Sequence, residues 1–437
     1  KGFEKERSTM NATDLYFLND VQYAFLIGRQ SNAELCQVSC HVLIQYHAKS
    51  IDVERLRAAW QALAARHIVL QTRIFSDGAV SFAEHHTADS FFRYQDFTGE
   101  SDPEACGKAY LAQLESRQMD LEHGELAVLH LLHVDASHDQ LILEADCAAF
   151  DITSAQIFLQ DLARLYAGVD LPELPAAFHP YENDALPRPS RAKKAEDRQY
   201  WMEKIQHMGG TPFQEQAAVG TLSVPASYSS HSAVLPTEQV AFLERFAADA
   251  ATNLQMVLLT LFVRAIAKTV QKEQFLLNIP VLDRSNVDAA YRDTAADYTV
   301  ILMFAVDHAT EQDFRAQLCA LSKQYQEDLA HASFSGINVQ QRLAEARQQT
   351  VINGNVTFSS HIDRDLADPV IRQCFGTCCG VHTETPNVVM DGEFFRVNGS
   401  ILMNLVTPDQ YLPIQTEETL LAYMLEEVNM LADYENQ

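Results

Sequence analysis

Asp146-Cys147-Ala148-Ala149-Phe150-Asp151-Ile152-Thr153-Ser154 is the stretch from which the rest of this chain can be read. Leu141 to Leu143, which lead into it, have the short apolar run of a buried strand, while Phe158, Leu162, Leu165 and Tyr166 after it fall at i, i+4, i+7 and i+8, the stripe of an amphipathic helix. A strand-loop-helix corner is therefore expected. Thr153, with Gln156 three residues on, is expected to close the first turn of that helix as a capping box. Asp146, Asp151 and Ser154 place two carboxylates and a hydroxyl on one short loop between buried segments, where each needs water or a partner. They are either salt-bridged structural groups or parts of a site, and the corner alone does not separate the two.

With 437 residues the chain is long enough for two sizeable lobes, each burying its own apolar surface. Its 47% apolar and 21% charged content is that of an ordinary globular protein and argues against disorder. Against 32 basic residues stand 59 acidic ones, and the net charge of −27 repels nucleic acid and anionic membrane surfaces alike, so neither is expected as a partner. The longest apolar runs, Met256 to Val263 and Val300 to Val306, fall far short of the roughly 20 residues of a membrane span. The opening Lys1-Gly2-Phe3-Glu4-Lys5-Glu6-Arg7 lacks the apolar core of a signal peptide, and the expected location is the cytoplasm. Eight cysteines, at 36, 40, 106, 147, 319, 374, 378 and 379, show neither Cys-x-x-Cys pairs nor a zinc spacing with histidine and are expected as reduced thiols. The closest cluster, Cys374, Cys378 and Cys379, reads as small buried residues of one segment, so no metal site is expected. Cys147 is given no nucleophilic role, because flanking anions disfavour a thiolate.

Several other stretches have local signatures. Val53, Leu56, Trp60 and Leu63 predict a helix ending near Arg66-His67, with His67 as a structural anchor and a hairpin about the Asp77-Gly78 turn. Five prolines at 172, 175, 180, 187 and 189 exclude regular structure and mark a lobe boundary, dividing the chain into 1–175 and 176–437. The basic residues Arg188, Arg191, Lys193 and Lys194 read as a solvated helix face or as a surface for an acidic carrier protein. From Thr237 to Val270 the pattern is helical with a break near Thr252-Asn253, and a core strand is predicted over Phe275 to Val281.

The Asp-x-x-x-x-Asp-x-x-Ser pattern of Asp146, Asp151 and Ser154 resembles the signature of heterocyclization domains of nonribosomal peptide synthetases. These are a branch of the condensation-domain family, whose ordinary members carry His-His-x-x-x-Asp-Gly there; here Asp146, Cys147 and Ile152 stand at the two His and the Gly. Phe17-Leu18, Gln22, Ala24-Phe25 and Gly28-Arg29 are similar to the opening motif of that branch, and Arg66 to Leu70 with Asp77-Gly78 to the second. Leu171-Pro172-Glu173-Leu174-Pro175 resembles the proline-rich third motif, and Tyr200-Trp201 the start of the second lobe. Asp283-Arg284, Ala296-Asp297-Tyr298-Thr299, Phe334-Ser335-Gly336, Asn355 to Ser360, and Glu384-Thr385-Pro386-Asn387 with Asp391 resemble later motifs in the right order. Departures stand at Asn19, Asn355, Ser359, Glu384 and Asn387.

The resemblance implies an α/β fold of two lobes of the chloramphenicol-acetyltransferase kind, V-shaped, with a central tunnel. It implies that Asp391 acts as acid and base and that Ser359 orients it. Asp146 and Asp151 would shape the loop and tunnel, with Ser154 holding the helix start. Arg284 would pair with Asp151. Asp297 would line the cavity or serve as a turn residue, and Thr385 and Asn387 belong to the final motif. Both substrates would arrive on the phosphopantetheine arms of donor and acceptor carrier domains, with adjacent synthetase domains as further partners and no metal or nucleotide bound by the chain itself. The implied reaction is amide formation with a carrier-bound Cys, Ser or Thr, then loss of water to a thiazoline or oxazoline. A member that only condenses, a carrier-docking scaffold and a free-standing acyltransferase on coenzyme A thioesters are the alternatives; the last wants a His where Cys147 stands.

Overall fold

A computed structural model of the chain describes residues 16–32, 35–82, 91–135, 137–175, 179–181, 189–213, 227–282, 284, 287, 289–307, 313–350, 352, 354–409, 411–413 and 415–435. The strands of the first part are β1 (Tyr16–Phe17), β2 (His41–Ala48), β3 (Thr72–Ile74), β4 (Ala79–Phe82), β5 (Phe92–Asp96), β6 (Ala127–Asp135) and β7 (His138–Asp146). Those of the second are β8 (Tyr228–Leu235), β9 (Gln274–Val281), β10 (Val300–Asp307), β11 (Asn355–Asp365), β12 (Thr377–Glu384), β13 (Val388–Val397) and β14 (Ser400–Pro408). They form a five-stranded sheet in the order β12-β2-β7-β6-β5, a six-stranded sheet in the order β10-β9-β11-β13-β14-β8 and a small sheet β1-β4-β3.

Successive residues of a strand face opposite sides, so a run without polar alternation needs cover on both. Leu141, Ile142 and Leu143 of β7 are such a run, and all three are fully buried. Leu141 and Leu143 pack with Leu56, Trp60, Leu63, Phe158 and Leu162, on the helices Val53–Arg66 and Ile152–Ala167. Ile142 packs on the other side with Leu43, Leu132 and Leu114, the last from the helix Pro103–Glu115. In the second sheet the helix Leu254–Val270 is apolar nearly all round and packs against Phe275, Leu277, Phe358 and Phe394, as the pattern Met256 to Ile266 predicts. Its break from the helix Thr237–Asp249 comes where Asn253 caps the new start, accepting from Met256 N at 3.1 Å. Among the described residues no single helix is long and apolar enough to cross a membrane; these two pass that test only as a pair bent by 101°.

The two parts of the chain exchange structure. Strand β12 pairs antiparallel with β2, Glu384 opposite His41, and Ile371, Phe375 and Val381 join the core of the five-stranded sheet. The chain then turns and enters the six-stranded sheet as β13, parallel to β11. The turn from Glu384 to Val388 is thereby laid across the ends of β2 and β7, where His41 lies opposite Asp146.

Two local expectations are corrected. The cap of the helix Ile152–Ala167 is Asp151, not Thr153. The Asp151 carboxylate accepts both the Ser154 N–H at 2.8 Å and its Oγ at 2.7 Å, while Gln156 Nε2 reaches across to the His361 carbonyl at 3.2 Å instead of closing a box. Cys374, Cys378 and Cys379 are not jointly buried: Cys379 is exposed and the others are half-buried, because they straddle the helix Pro369–Phe375 and the first residues of β12. On the helix Arg191–Ile205, Lys193 lies 2.6 Å from Asp197, and Arg191 and Lys194 are exposed. Arg188, Pro187 and Asp283 lie outside the described residues.

Candidate active site

The corner is held from three directions. Asp146, the last residue of β7, accepts Arg29 Nη1 at 2.7 Å and the Ala148 N–H at 2.9 Å. Gln22 Nε2 donates to the carbonyls of Ala148 at 3.0 Å and Ala149 at 3.2 Å. Gln22 itself stands in the first turn of the helix Asp20–Gln30, in a capping box with Asn19. On the far side Arg284 Nη2 donates to Asp151 Oδ1 at 2.7 Å, and Asp151 Oδ2 accepts the Tyr298 N–H at 3.3 Å. Arg284 Nη1 donates to the carbonyls of Arg292 and Thr294, and Ser154 Oγ lies 2.9 Å from the Ala296 carbonyl. With Asp151 3% exposed and Asp146 fully buried, each carboxylate is matched by a guanidinium, the arrangement that makes a buried charge tolerable.

Asp151, Ser359, Thr385, Asn387 and Asp391 line one cavity of about 620 Å³. Asp146, Ser154, Arg284 and Asp297 are not part of its wall; they stand behind it. Asp297 takes Asn19 Nδ2 at 2.7 Å and the Thr299 N–H at 3.0 Å, the pattern of a turn residue that also anchors the helix Asp20–Gln30. Asp391 projects from β13, 6% exposed, accepting Thr385 Oγ1 at 2.8 Å and Ser359 Oγ at 3.3 Å. The Thr385 contact has the usual O–H···O length and the Ser359 contact is long, so Thr385 is the firmer of the two partners. Burial pushes the Asp391 carboxyl up from 3.8 to about 6, against the pull of both hydroxyls. A carboxyl so placed holds a proton or releases it near neutral pH, which suits acid and base work. Asn387 has φ 60°, its N–H donates to the Leu35 carbonyl at 2.8 Å, and its own carbonyl accepts Asn355 Nδ2 at 3.1 Å.

The condensation-domain model matches residues 13–372, most of the chain. The chain belongs to the condensation-domain family. Phenyloxazoline synthase MbtB of Mycolicibacterium paratuberculosis is 26% identical over 96% of this chain and 36% of its own length. Pyochelin synthetase PchE of Pseudomonas aeruginosa is 27% identical over 88% of this chain and 27% of its own. This condensation domain thus spans about a third or less of those relatives. Among solved structures, the EpoB NRPS cyclization-docking bidomain from Sorangium cellulosum superposes with a TM-score of 0.83 at 20% identity, covering 95% of this chain and 84% of that one. The starter condensation domain of rhizomide synthetase RzmA superposes at 0.77 with 15% identity, over 99% and 97%. Both likenesses bear on the fold, which is the two-lobed α/β fold implied by the motifs.

In this condensation domain several groups in or behind the cavity escape sequence reasoning. Arg29 was legible as part of the opening motif but not as the partner of Asp146, which its guanidinium satisfies. Gly28 before it lies so close to Pro386 that a side-chain carbon would collide, which ties the opening motif to the final one. Glu393, two residues beyond Asp391 on the same strand face, also lines the cavity, and the alternation of β13 was the signal that pointed to it. His361 lines the cavity too, 6% exposed, with neither ring nitrogen hydrogen-bonded among the described residues and burial holding it neutral by lowering it to about 3.

Proposed function

We propose that this chain is a heterocyclization domain of a nonribosomal peptide synthetase. It joins a carrier-bound acyl donor to a carrier-bound Cys, Ser or Thr, and then closes the side chain onto the new amide with loss of water. The observation that carries this reading is Asp391, a cavity carboxyl balanced near neutrality by burial and two hydroxyl donors, where an ordinary condensation domain would rely on a histidine at the corner. Amide formation has a good nucleophile and a good leaving group, so positioning serves; expelling water from an amide carbonyl needs proton transfer. Phosphopantetheine arms deliver both substrates, donor and acceptor carrier domains are the partners, and neighbouring synthetase domains supply them.

The test is intact-protein mass spectrometry of the loaded acceptor carrier, where ring closure reads as the loss of one water. Asp391→Asn is expected to accumulate the uncyclised amide, with ring closure slowed on the order of 10²–10⁴-fold. Thr385→Val and Ser359→Ala are expected to do the same more weakly, Thr385→Val the more severe because its contact is shorter. An Asp391→Asn enzyme that dehydrates at the wild-type rate removes the assignment. The long Ser359 contact favours the second reading, a domain that condenses without cyclising, and a wild type that never loses water would establish it.

A further inference from the structure

Asp391 and Glu393 are separated by one residue on β13 and so share a face, their Cα atoms about 6.6 Å apart at two strand steps. Gly392 between them faces the other way, where a side-chain carbon would lie 2.6 Å from Phe262 Cζ. The strand is pressed onto the core helix there, which holds both carboxyls toward the cavity they line. Glu393 is 2% exposed, deeper than Asp391 at 6%.

What sets this pair apart is the absence of a cation. Asp146 has Arg29 and Asp151 has Arg284. Among the described residues Asp391 and Glu393 have hydroxyl and amide donors only: Ser359 and Thr385 on Asp391, and the Thr383 hydroxyl with Asn404 Nδ2, the latter at 3.2 Å, on Glu393. Two buried carboxyls on one strand face, with no counter-charge among the described residues, oppose each other's ionisation. The Ser359 and Thr385 hydroxyls favour the charge on Asp391, and burial together with that charge pushes Glu393 well up.

We propose that Asp391 and Glu393 share one proton and act together in ring closure, Asp391 as the base and Glu393 as the acid. This inference rests on the heterocyclization reading. In the addition step Asp391 takes the proton of the acceptor's thiol or hydroxyl as its sulfur or oxygen bonds to the amide carbon. The C=O π pair moves to oxygen, which takes the Glu393 proton. In the elimination step the new hydroxyl leaves as water with the proton now on Asp391. The nitrogen forms the C=N bond as its N–H proton passes to Glu393. Both carboxyls return to their starting states, one molecule of water is released, and no external acid or base is consumed.

Glu393→Gln is the test, with ring closure followed across pH and a difference infrared spectrum against wild type. Ring closure is expected to fall on the order of 10²–10⁴-fold, with amide accumulating. The alkaline limb of a bell-shaped wild-type profile should vanish, whereas a merely structural role lowers the bell and keeps its shape. The infrared difference should show a protonated carboxyl in wild type at pH 7 that the variant lacks. Should Glu393→Gln fold poorly, Glu393→Asp keeps a carboxyl and should keep the alkaline limb at a reduced rate. Wild-type dehydration or an intact bell in Glu393→Gln, or no protonated carboxyl, overturns the inference and leaves the heterocyclization reading standing. A wild type that condenses but never loses water defeats that reading and the ring-closing roles with it, while the infrared band still reports on the shared proton.

Discussion

Asp297 shows at a single residue how burial governs charge around this cavity. It has two good donors, Asn19 Nδ2 and the Thr299 N–H, yet burial and the nearby Asp151 carboxylate push it from 3.8 up to about 6. A raised carboxyl keeps a proton in the folded state that the unfolded chain has already released. Its stabilising contribution is therefore fully present below the unfolded value and is lost as pH rises through about 6. Asp297→Asn cannot ionise and should remove this dependence. Relative to wild type its unfolding free energy should improve by roughly 3 kcal/mol between pH 3 and pH 8, the linkage value of that displacement. Urea unfolding at the two pH values measures it, and a difference independent of pH would refute the account.

At the scale of elements, the corner and the segment from Arg284 to Tyr298 form one unit. Asp151 caps the helix Ile152–Ala167, accepts Arg284 and accepts the Tyr298 N–H, so one carboxylate joins three pieces of backbone. Removing it leaves a buried guanidinium unpaired, at a cost of roughly 3–5 kcal/mol. Asp151→Ala should accordingly lose melting temperature and solubility along with activity. An Asp151→Ala protein that melts like wild type but is inactive would show instead that Asp151 meets the substrate directly. The choice of Asp151 over Thr153 as cap belongs to the same unit: the carboxylate already aligned by Arg284 takes the Ser154 N–H, and Thr153 falls inside the helix.

For the whole molecule the decisive feature is the passage of β12 into the first sheet. It covers the edge of β2 and, with the helix Pro369–Phe375, contributes Ile371, Phe375 and Val381 to that core. It also delivers Thr385 to Asp391 beside the end of β7, which no path within residues 1–175 does. A fragment of residues 1–175 would expose the β2 edge and an incompletely filled core, a combination prone to aggregation. Such a fragment is expected to show no cooperative thermal transition by circular dichroism, while the full chain does. A sharp, reversible melt of the fragment would mean that the first lobe is self-sufficient.

Much of this architecture was readable in the chain. The strand at Leu141 to Leu143, the helix ending at Arg66, the hairpin at Asp77-Gly78 and the break before Leu254 all follow from periodicity and capping over a few residues, which is the range on which those forces act. The order of the motifs carried the family, and Asp391 stood out within the last of them. The state of the site lay beyond that range. Arg29 reaches Asp146 across 117 residues, Gln22 reaches Ala148 across 126, and Arg284 reaches Asp151 across 133. Among the described residues Glu393 differs from these carboxylates in having no cationic partner, and no local pattern records an absent cation. Whether a buried carboxyl is charged depends on desolvation and on groups brought in from distant segments, so the assembled fold alone decides which of these acids are fixed anions and which can carry a proton.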